Sequence, residues 1–398
     1  MNDSLEVAIV GAGPAGLGTA VALERLDVEY AVLERDRIGA SFRSWPEEMR
    51  LLTPSFPANA FGVRDLNAIT VDTSPALALD REHPTGEQYA EYLEAVAEFH
   101  ELPVETGVDV DSVVREGADE TDGFVLETDE GPIRARYVVW AAGQYQYPSN
   151  AGIDGAVHGT HVAAVDSWAG YADRVANEDG SAARVAADGA GAAVDGAADV
   201  VVVGGAESGI DAALGLAEAG RSVTVLDDEG TWQFRSPDPS EVLSPRTSER
   251  LETALEDGAP IELVADARIE EIGRDDEGYA VTASDGDRYR SRVSPILATG
   301  FEGSLAVVED LFAFDGSFPA LTDRDESTET PGLFLAGPQV AHNGQQFCFI
   351  YKFRQRFAVV AEELGDRLGV ETGPLEEYRE KRMIVEDLEC CEPDYCDC

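Results

Sequence analysis

Lysine is almost absent from this sequence. Lys352 and Lys381 are the two lysines among 29 basic residues, whereas 78 residues are acidic and the formal net charge is −49. This balance excludes binding to nucleic-acid phosphates, which requires a basic surface. Such a charge often accompanies disorder, but 44% of the residues are hydrophobic, and they recur with strand and helix periodicities. The composition therefore predicts a folded protein, and 398 residues are enough for two domains.

The acidic residues are spread along the chain rather than gathered in one place. Molar salt screens charges over about 3 Å, which removes the self-repulsion of such a surface. The composition thus predicts a protein from an extreme halophile. The alternative is an acidic patch that binds a cation or a basic partner, and it requires a clustering that is absent outside the C-terminal tail.

The sequence also lacks long apolar runs and a regular cysteine pattern. No apolar run approaches the 18 residues of a membrane-spanning helix, and the first predicted strand begins within five residues of the N-terminus. We therefore expect a cytoplasmic protein without a signal peptide or a transmembrane segment. Cys348 is remote from Cys390, Cys391, Cys396 and Cys398, which fall in the last nine residues. This distribution does not suggest the disulfide framework of a secreted protein.

A first glycine-rich segment lies at residues 7–18. A short apolar run is followed by Gly11, Gly13 and Gly16 in the pattern G-x-G-x-x-G, then by a helical pattern and an apolar run ending at Glu34. Gly11 allows a tight turn, Gly13 lets backbone N–H groups approach a pyrophosphate, and Gly16 allows close helix–strand packing. Glu34 can accept hydrogen bonds from ribose hydroxyls. The segment predicts a dinucleotide site.

A second segment of this kind lies at residues 199–227. Consecutive valines are followed by Gly204, Gly205, Ala206 and Gly209, then by a helical pattern and a strand ending at Asp227. Ala206 puts a methyl group where the pattern has its middle glycine. A nucleotide site and a Rossmann-like unit that binds nothing both remain open from this segment alone. Two such units in one chain are typical of hydride transfer between a nicotinamide and a flavin.

Further segments carry a resemblance to a known family. Residues 137–143 and 293–301 are apolar strands that end in Ala-Gly or Thr-Gly, and residues 330–338 resemble a last flavin-binding strand. Together with residues 39–57 and 83–93, they are similar to the two-dinucleotide-domain FAD/NAD(P) oxidoreductases, in the branch that resembles the flavin-containing monooxygenases and the cation-transport-associated flavoproteins. The resemblance covers residues 5–365 and leaves the substrate unspecified.

The resemblance implies an α/β fold with two Rossmann-like dinucleotide-binding domains, in which the FAD domain is discontinuous and the NAD(P) domain is inserted. The expected boundaries are 1–165 for the first part of the FAD domain, 166–198 for a linker or insertion, 199–290 for the NAD(P) domain, 291–372 for the second part of the FAD domain, and 373–398 for an acidic, cysteine-rich tail.

The resemblance also implies which residues bind the two cofactors, FAD and NADH or NADPH. These residues are Gly11, Gly13, Pro14, Ala15, Gly16, Glu34, Arg35, Ser41, Arg43, Trp45, Val110, Ala142, Gly143, Gly204, Gly205, Glu207, Ser208, Asp227, Thr299, Gly300, Gly337 and Gln345. No catalytic side chain is predicted. Asp227, with Asp228 and Glu229 beside it, should repel the 2′-phosphate of NADPH, so NADH is expected to be preferred.

The expected reaction is oxidation of NAD(P)H by FAD, with electrons passing to oxygen or to a small-molecule substrate, as in a monooxygenase. Pro54 follows Thr53 where the family commonly has an asparagine that supports oxygen activation. His158 and His161 follow Gly155 at a spacing that departs from the family motif. We interpret His161 as a structural histidine rather than a catalytic one.

The segment after Gly337 is expected to lie at the flavin ring. Residues 343–364 have helical spacing with Asn343 available as an N-cap, and an ordinary packing helix is the alternative. We interpret Cys348 as an inert buried residue, because no CxxC or CxxxxC partner lies near the flavin segments. A dithiol mechanism of the glutathione-reductase kind is therefore poorly supported.

The C-terminal tail gives the second function class. A charged helix is predicted from Leu375 to Leu388, and the four cysteines that follow lie beside carboxylates. They could bind a thiophilic metal ion or form regulatory disulfides, in a local pattern similar to the tail of mercuric reductases. A tail without such a role is the alternative. A thiol- or metal-linked flavoprotein reductase is therefore kept beside the monooxygenase-like enzyme.

Overall fold

The structure is a computed structural model and describes residues 4–57, 63–117, 123–178, 198–236, 240–276 and 278–388. The chain divides into two compact units. The first unit comprises Met1–Arg43, Thr53–Tyr147 and Glu302–Cys398, and the second comprises Ser44–Leu52 and Pro148–Phe301. Each unit contains one of the two glycine-rich segments.

The strands follow one another along the chain. They are β1 (Leu5–Val10), β2 (Tyr30–Glu34), β3 (Val104–Thr106), β4 (Val110–Arg115), β5 (Phe124–Thr128), β6 (Ile133–Trp140), β7 (Thr160–His161), β8 (Val200–Val203), β9 (Val223–Leu226), β10 (Ile261–Val264), β11 (Ile269–Asp275), β12 (Gly278–Ala283), β13 (Arg288–Ser291), β14 (Ile296–Leu297), β15 (Phe314–Asp315), β16 (Phe318–Pro319), β17 (Leu333–Leu335), β18 (Ala341–His342) and β19 (Gln345–Gln346).

The α-helices are α1 (Pro14–Glu24), α2 (Ala40–Arg43), α3 (Pro75–Leu79), α4 (Gly86–Phe99), α5 (Trp168–Glu178), α6 (Glu207–Glu218), α7 (Pro245–Glu256), α8 (Ile350–Phe353), α9 (Phe357–Leu368) and α10 (Glu376–Glu380). None of these described helices is both long and apolar enough to span a membrane.

The first unit is built on a sheet with the strand order β3-β2-β1-β6-β5-β4, and β17 pairs with β6. Strands β1, β2, β3, β6 and β17 are parallel to one another, whereas β4 and β5 join antiparallel. Residues 7–10 and 30–34 are buried throughout, as expected of parallel strands covered on both faces. Helix α1 packs closely on α9, because a Cβ at Gly18 would lie 2.0 Å from the ring of Phe357.

The second unit is built on a parallel sheet with the order β10-β9-β8-β14-β7, beside an antiparallel sheet β11-β12-β13. Val200 and Val202 of β8 belong to a buried cluster with Trp168 of α5, while Val201 and Val203 belong to another with residues of β11 and β12. This alternation follows from the two-residue period of a strand. Both main sheets thus have Rossmann-like parallel strands, and the predicted fold class is confirmed.

The short segment 44–52 belongs to the second unit through Glu48. Its carboxylate accepts hydrogen bonds from Ser167 Oγ at 2.7 Å and from the N–H groups of Trp168 and Ala169 at 3.0 and 3.1 Å. A carboxylate at this end of α5 binds N–H groups that lack partners within the helix. Burial raises the pKa of Glu48, but these hydrogen bonds outweigh it and hold the pKa below its ordinary value.

The unit boundaries fall at other positions than the sequence predicts. The sequence predicts boundaries at 165 and 290, whereas the compact units change after Tyr147 and after Phe301. The reason is that β7 and β14 pair with each other, and β14 pairs with β8, inside the second sheet. Of the predicted linker 166–198, residues 168–178 form α5, and residues 179–197 lie outside the described part of the chain.

Two predicted helices are corrected by the structure. Asn343 does not cap a helix, because Asn343 and Gly344 have positive φ angles of 52° and 80° and form the turn between β18 and β19. Asn-Gly is a strong signal for such a two-residue turn. The helix predicted from Leu375 to Leu388 ends at Glu380, and Arg382 has a φ of 55°, which is incompatible with a continuing helix.

Candidate functional site

The glycine loop of the first unit connects β1 to α1. Gly11 has a φ of 104°, and a Cβ there would lie 2.6 Å from the carbonyl oxygen of Ala141. A Cβ at Gly16 would lie 1.9 Å from the carbonyl oxygen of Gly11. Both positions therefore require glycine, one for the turn and one for the close contact between the helix and the turn.

Open space lies beside Gly13, the residue that precedes α1. A Cβ at this position would meet no heavy atom within 4 Å. Pro14 and Ala15 follow in the first helical turn, where N–H groups have no helical partner and the helix dipole is positive. A Cβ at Gly337 would lie 3.2 Å from Ala15 Cβ, so the end of β17 reaches the same turn. This arrangement suits an anionic group such as a pyrophosphate.

Glu34 closes the loop from β2. Its Oε2 accepts a hydrogen bond from the N–H of Ala12 at 2.8 Å, and its Oε1 accepts one from the N–H of Asp36 at 3.0 Å. The side chain is thereby fixed at the end of the strand. Each oxygen of a carboxylate has two lone pairs, so Glu34 retains the capacity to accept hydrogen bonds from ribose hydroxyls.

A cleft in the first unit brings several predicted residues together. The predicted residues that line it are Gly11, Glu34, Arg35, Val110 and Ala142. Sequence reasoning missed the other lining residues, which are Val10, Leu33, Val108, Asp109, Trp140, Gln146 and Tyr147. The guanidinium of Arg35 lies 6.0 Å from the ring centre of Tyr147. Tyr147 is the last residue of the segment Thr53–Tyr147 of the first unit, and its aromatic side chain is the one sequence signal at this position.

Other predicted residues of the first unit lie outside the lining of this cleft. Arg43 forms ion pairs with Glu87 and with Glu94, the latter at 2.7 Å, so acids of α4 already neutralise it. Ser41 Oγ lies 3.5 Å from Gln146 Nε2, which places it near the cleft. The predicted residues that remain are Gly143, with a φ of 70°, and Gln345, in β19. Trp45 belongs to the second unit.

The glycine loop of the second unit has the same construction as the first. Gly204 has a φ of 100°, and a Cβ there would lie 2.4 Å from the carbonyl oxygen of Ala298. A Cβ at Gly209 would lie 1.9 Å from the carbonyl oxygen of Gly204. Asp227 corresponds to Glu34, because its Oδ2 accepts a hydrogen bond from the N–H of Gly205 at 2.6 Å.

Asp227 also organises the loop that follows β9. Its Oδ1 accepts hydrogen bonds from the N–H groups of Glu229, Gly230 and Thr231 at 3.1, 2.6 and 3.2 Å. The ring of Trp232 packs so closely on the glycine loop that a Cβ at Gly205 would lie 2.3 Å from it. These contacts therefore fix the end of β9, Asp227 and the glycine loop relative to one another.

Glu207 is the first residue of α6, and Ser208 follows it in the same turn. Glu207 accepts hydrogen bonds from the N–H of Ser244 and, at 2.6 Å, from Thr247 Oγ1. Burial raises its pKa above the ordinary value of a glutamate, against the effect of these hydrogen bonds. Glu207 thus lies in the first turn of α6, where the N-terminus of the helix favours the binding of an anionic ligand.

The segment at 299–301 is bound to its surroundings within the second unit. Thr299 Oγ1 donates a hydrogen bond to the carbonyl of Ser149 at 2.5 Å. His161 Nδ1 accepts a hydrogen bond from the N–H of Ala163 at 3.1 Å, so Nε2 carries the proton and donates to the carbonyl of Gly300 at 3.0 Å. Burial lowers the pKa of His161. These contacts support the structural interpretation of this histidine.

The predicted metal ligands Cys390, Cys391, Cys396 and Cys398 lie outside the described residues. The segment that leads to them is anchored in the first unit, because Asn343 Nδ2 donates to the carbonyl of Leu388 at 2.9 Å and the N–H of Val385 donates to the carbonyl of Gln355 at 3.1 Å. Within the described ranges, no group of three or more His, Cys, Asp or Glu side chains could hold a metal ion.

Comparison with known proteins gives a family match over most of the chain. The family described as pyridine nucleotide-disulphide oxidoreductase matches residues 8–176 and 191–337. A curated relative, an uncharacterized CzcO-like oxidoreductase from Geobacillus kaustophilus, is 29% identical over 152 residues. That match covers 37% of this chain and 38% of the relative, so it spans well under half of either protein.

Solved structures share the fold at low sequence identity. The bacillithiol disulfide reductase Bdr from Staphylococcus aureus has a TM-score of 0.69 and 18% identity over 92% of this chain and 99% of its own. A flavin-containing monooxygenase from Stenotrophomonas maltophilia has a TM-score of 0.65 and 16% identity over 92% and 99% of the two chains. Disulfide reductases and monooxygenases thus share this architecture, and the fold alone does not separate the two activities.

Proposed function

We propose that this protein passes hydride from NAD(P)H to FAD and then electrons to oxygen or a small-molecule substrate. The premise is that the chain belongs to the pyridine nucleotide-disulphide oxidoreductase family and is a flavin-dependent oxidoreductase. FAD, when bound, supplies the chemistry that accepts a hydride and releases electrons singly or in pairs. The protein supplies binding, orientation and electrostatics. The proposed location is the cytoplasm.

The residues of the first unit fit FAD. The space beside Gly13 is free of protein atoms within 4 Å of a Cβ, and it adjoins the N-terminus of α1, which favours a pyrophosphate. Glu34 lines the cleft and is held in place by the N–H groups of Ala12 and Asp36. In the proposal Glu34 accepts the ribose hydroxyls, while Arg35 and Val110 line the adenosine end of the cleft.

One observation carries the assignment of a second nucleotide to the second unit. The two loops repeat each other in detail: Gly204 and Gly11 share positive φ angles near 100°, and Asp227 binds the N–H of Gly205 as Glu34 binds that of Ala12. A loop of this construction positions a dinucleotide pyrophosphate at a helix N-terminus. We therefore assign NAD(P)H to the second unit.

We propose NADH as the preferred reductant, because three acids follow β9. Asp227 is committed to the loop by its hydrogen bonds, whereas Asp228 is exposed.

Asp228→Arg leaves those bonds in place and replaces a repulsive charge near the 2′-phosphate by an attractive one. The variant should shift the ratio of kcat/KM for NADH over NADPH towards NADPH by roughly tenfold. Asp257→Arg, at the exposed end of α7, is the control, and an equal shift in both variants would contradict the proposal.

The use of oxygen is tested by product analysis. Purified protein is reduced with NADH under argon, oxygen is admitted, and hydrogen peroxide is quantified beside any oxygenated product of candidate amines and sulfides. A monooxygenase-like enzyme should yield less peroxide than NADH consumed once its substrate is present. Stoichiometric peroxide under every condition would contradict oxygen insertion.

A thiol- or metal-linked reductase is the second candidate, and the anchored C-terminal segment favours it. Leu388 is bound to Asn343, and Cys390 follows it by two residues in the sequence. Truncation after Leu388 should leave the flavin spectrum intact and abolish binding of Zn(II) or Hg(II) with its release of protons. Equal metal binding by the truncated protein would contradict this candidate.

A further inference from the structure

Glu207 puts a carboxylate in the turn of the second glycine loop where the pyrophosphate is proposed to bind. It is the first residue of α6 and follows Ala206, which is exposed. The corresponding residue of the first loop is Pro14, which carries no charge. A pyrophosphate at the N-terminus of a helix is stabilised by free N–H groups and by the helix dipole. A carboxylate in the same turn opposes it, because like charges repel.

The contacts of Glu207 fix its side chain between two helix ends. Its Oε2 accepts a hydrogen bond from Thr247 Oγ1 at 2.6 Å and lies 3.4 Å from Ser244 Oγ, while its Oε1 accepts one from the N–H of Ser244. Ser244 is the N-cap of α7 and accepts a hydrogen bond from the N–H of Thr247. Within the described part of the chain, the partners of Glu207 are thus hydroxyl and amide groups rather than cations.

Among the described residues, no cation forms an ion pair with the carboxylate of Glu207. Asp211, one turn further along α6, forms an ion pair with Arg250 at 2.6 Å and accepts a hydrogen bond from Trp168 Nε1 at 3.1 Å. Arg250 is therefore engaged by Asp211, and Arg246 is the other cation in the first two turns of α7. Burial raises the pKa of Glu207 and the negative charge of Asp211 raises it further, against the hydrogen bonds from Thr247 and Ser244.

We propose that the protonation state of Glu207 sets the affinity of the second unit for its dinucleotide. The neutral carboxyl keeps its contacts with Thr247 and Ser244 and admits the pyrophosphate, whereas the carboxylate repels it. At pH values above the titration range of Glu207, binding of the dinucleotide is therefore accompanied by uptake of a proton. The affinity for the dinucleotide falls as pH rises. This inference rests on the proposed function, in which the second unit binds NAD(P)H.

The test uses oxidised NAD+ and NADP+, which bind without transferring hydride. Dissociation constants of the flavin-loaded protein are measured by calorimetry between about pH 5 and about pH 8 in two buffers of different ionisation enthalpy, which also gives the number of protons taken up. Glu207→Gln retains an acceptor for the N–H of Ser244 and removes the charge. It should bind on the order of tenfold tighter at the upper end of this range, with a flat profile and no proton uptake.

Two further variants separate this role from a merely structural one. Glu218→Gln, at the exposed last position of the same helix, should keep the wild-type profile. Thr247→Val removes a hydrogen bond that stabilises the carboxylate, so the fall in affinity should move to higher pH. An unchanged profile and unchanged proton uptake in both Glu207→Gln and Thr247→Val would overturn the inference and leave dinucleotide binding intact. Absence of any binding by the wild-type protein would instead overturn the assignment of NAD(P)H to the second unit.

Discussion

Single residues distinguish the two glycine loops at the position where the pyrophosphate is proposed to bind. Gly13 leaves open space beside α1, whereas Ala206 carries a methyl group at the corresponding position before α6. Gly13 does not have a positive φ angle, so backbone strain does not explain its identity. The proposed pyrophosphate site accounts for a glycine here, because a side chain would occupy the space that the pyrophosphate needs.

Gly13→Val should therefore remove most of the bound flavin without unfolding the protein. The valine side chain enters the open space beside α1 and excludes the pyrophosphate. The flavin-to-protein absorbance ratio of the purified variant measures the loss. Gly273→Val is the control, since that position also meets no atom within 4 Å and lies in β11, where valine is favourable. A Gly13→Val protein with full flavin content would refute the assigned site.

His161 makes a prediction about pH. Burial lowers the pKa of His161 in the folded state, whereas the pKa of an unfolded histidine is about 6.5. Below this pH the unfolded chain therefore binds more protons than the folded protein. Its contribution to stability is therefore fully present above that pH and is lost as pH falls below it. His161→Gln should reduce the drop in Tm between about pH 7.5 and about pH 5. His158→Gln, at an exposed position, should leave the drop unchanged, and an equal effect of both substitutions would contradict this account.

At the scale of elements, the cap of α5 shows how a distant residue determines local structure. Ser167 and Trp168 lie 119 and 120 residues from Glu48, which binds both. The sequence at 166–198 predicts a linker or insertion, because Glu48, which binds N–H groups of the first turn of α5, belongs to another segment. The same contact explains why residues 44–52 join the second unit.

Glu48→Ala should destabilise the second unit by about 1 kcal/mol, the usual cost of losing a helix N-cap. The measurement is the urea midpoint of unfolding, followed by circular dichroism in molar KCl. Glu47→Ala is the matched control, because Glu47 is exposed and its N–H bond to the carbonyl of Asp166 survives the substitution. A midpoint that is equal in the two variants would show that the capping contact contributes nothing.

Elements with local signals could be predicted from the sequence, and those that depend on distant contacts could not. The loops at Gly11 and Gly204 and the acids that close them follow from spacing, because the strand, turn and helix are consecutive. The turn at Asn343 has a local Asn-Gly hairpin signal, which competes with the helical spacing of the residues after it. The packing of Trp232 on Gly205 and of Tyr147 near Arg35 depends on tertiary contacts that no local pattern encodes.

At the scale of the whole molecule, arginine ion pairs offset part of the negative charge. Arg379 binds Glu362, Glu376 and Glu386, and Arg367 binds Glu326 and Glu363. Exposed ion pairs contribute little individually, and the 78 acidic residues far outnumber the 29 basic ones. Self-repulsion should therefore be a large destabilising term in dilute solution.

The salt adaptation predicted from composition should appear as a rise in Tm between dilute and molar KCl. Screening shortens the range of repulsion from about 30 Å at 0.01 M to about 3 Å at 1 M. Sucrose, which stabilises folded proteins without screening charge, is the control and should raise Tm less at equal osmolality. A Tm that is flat or falls with KCl would remove the halophilic interpretation.

Anaerobic titration of the purified protein with NADH and with NADPH tests the central claim most directly, because it joins the two units in one reaction. The protein should carry FAD as purified, and one equivalent of reduced nicotinamide should bleach the visible flavin absorption in molar KCl. The rate should be higher with NADH, and the Gly13→Val protein should show no such change. A protein that binds no flavin, or a bound flavin that neither nicotinamide reduces, would contradict the account.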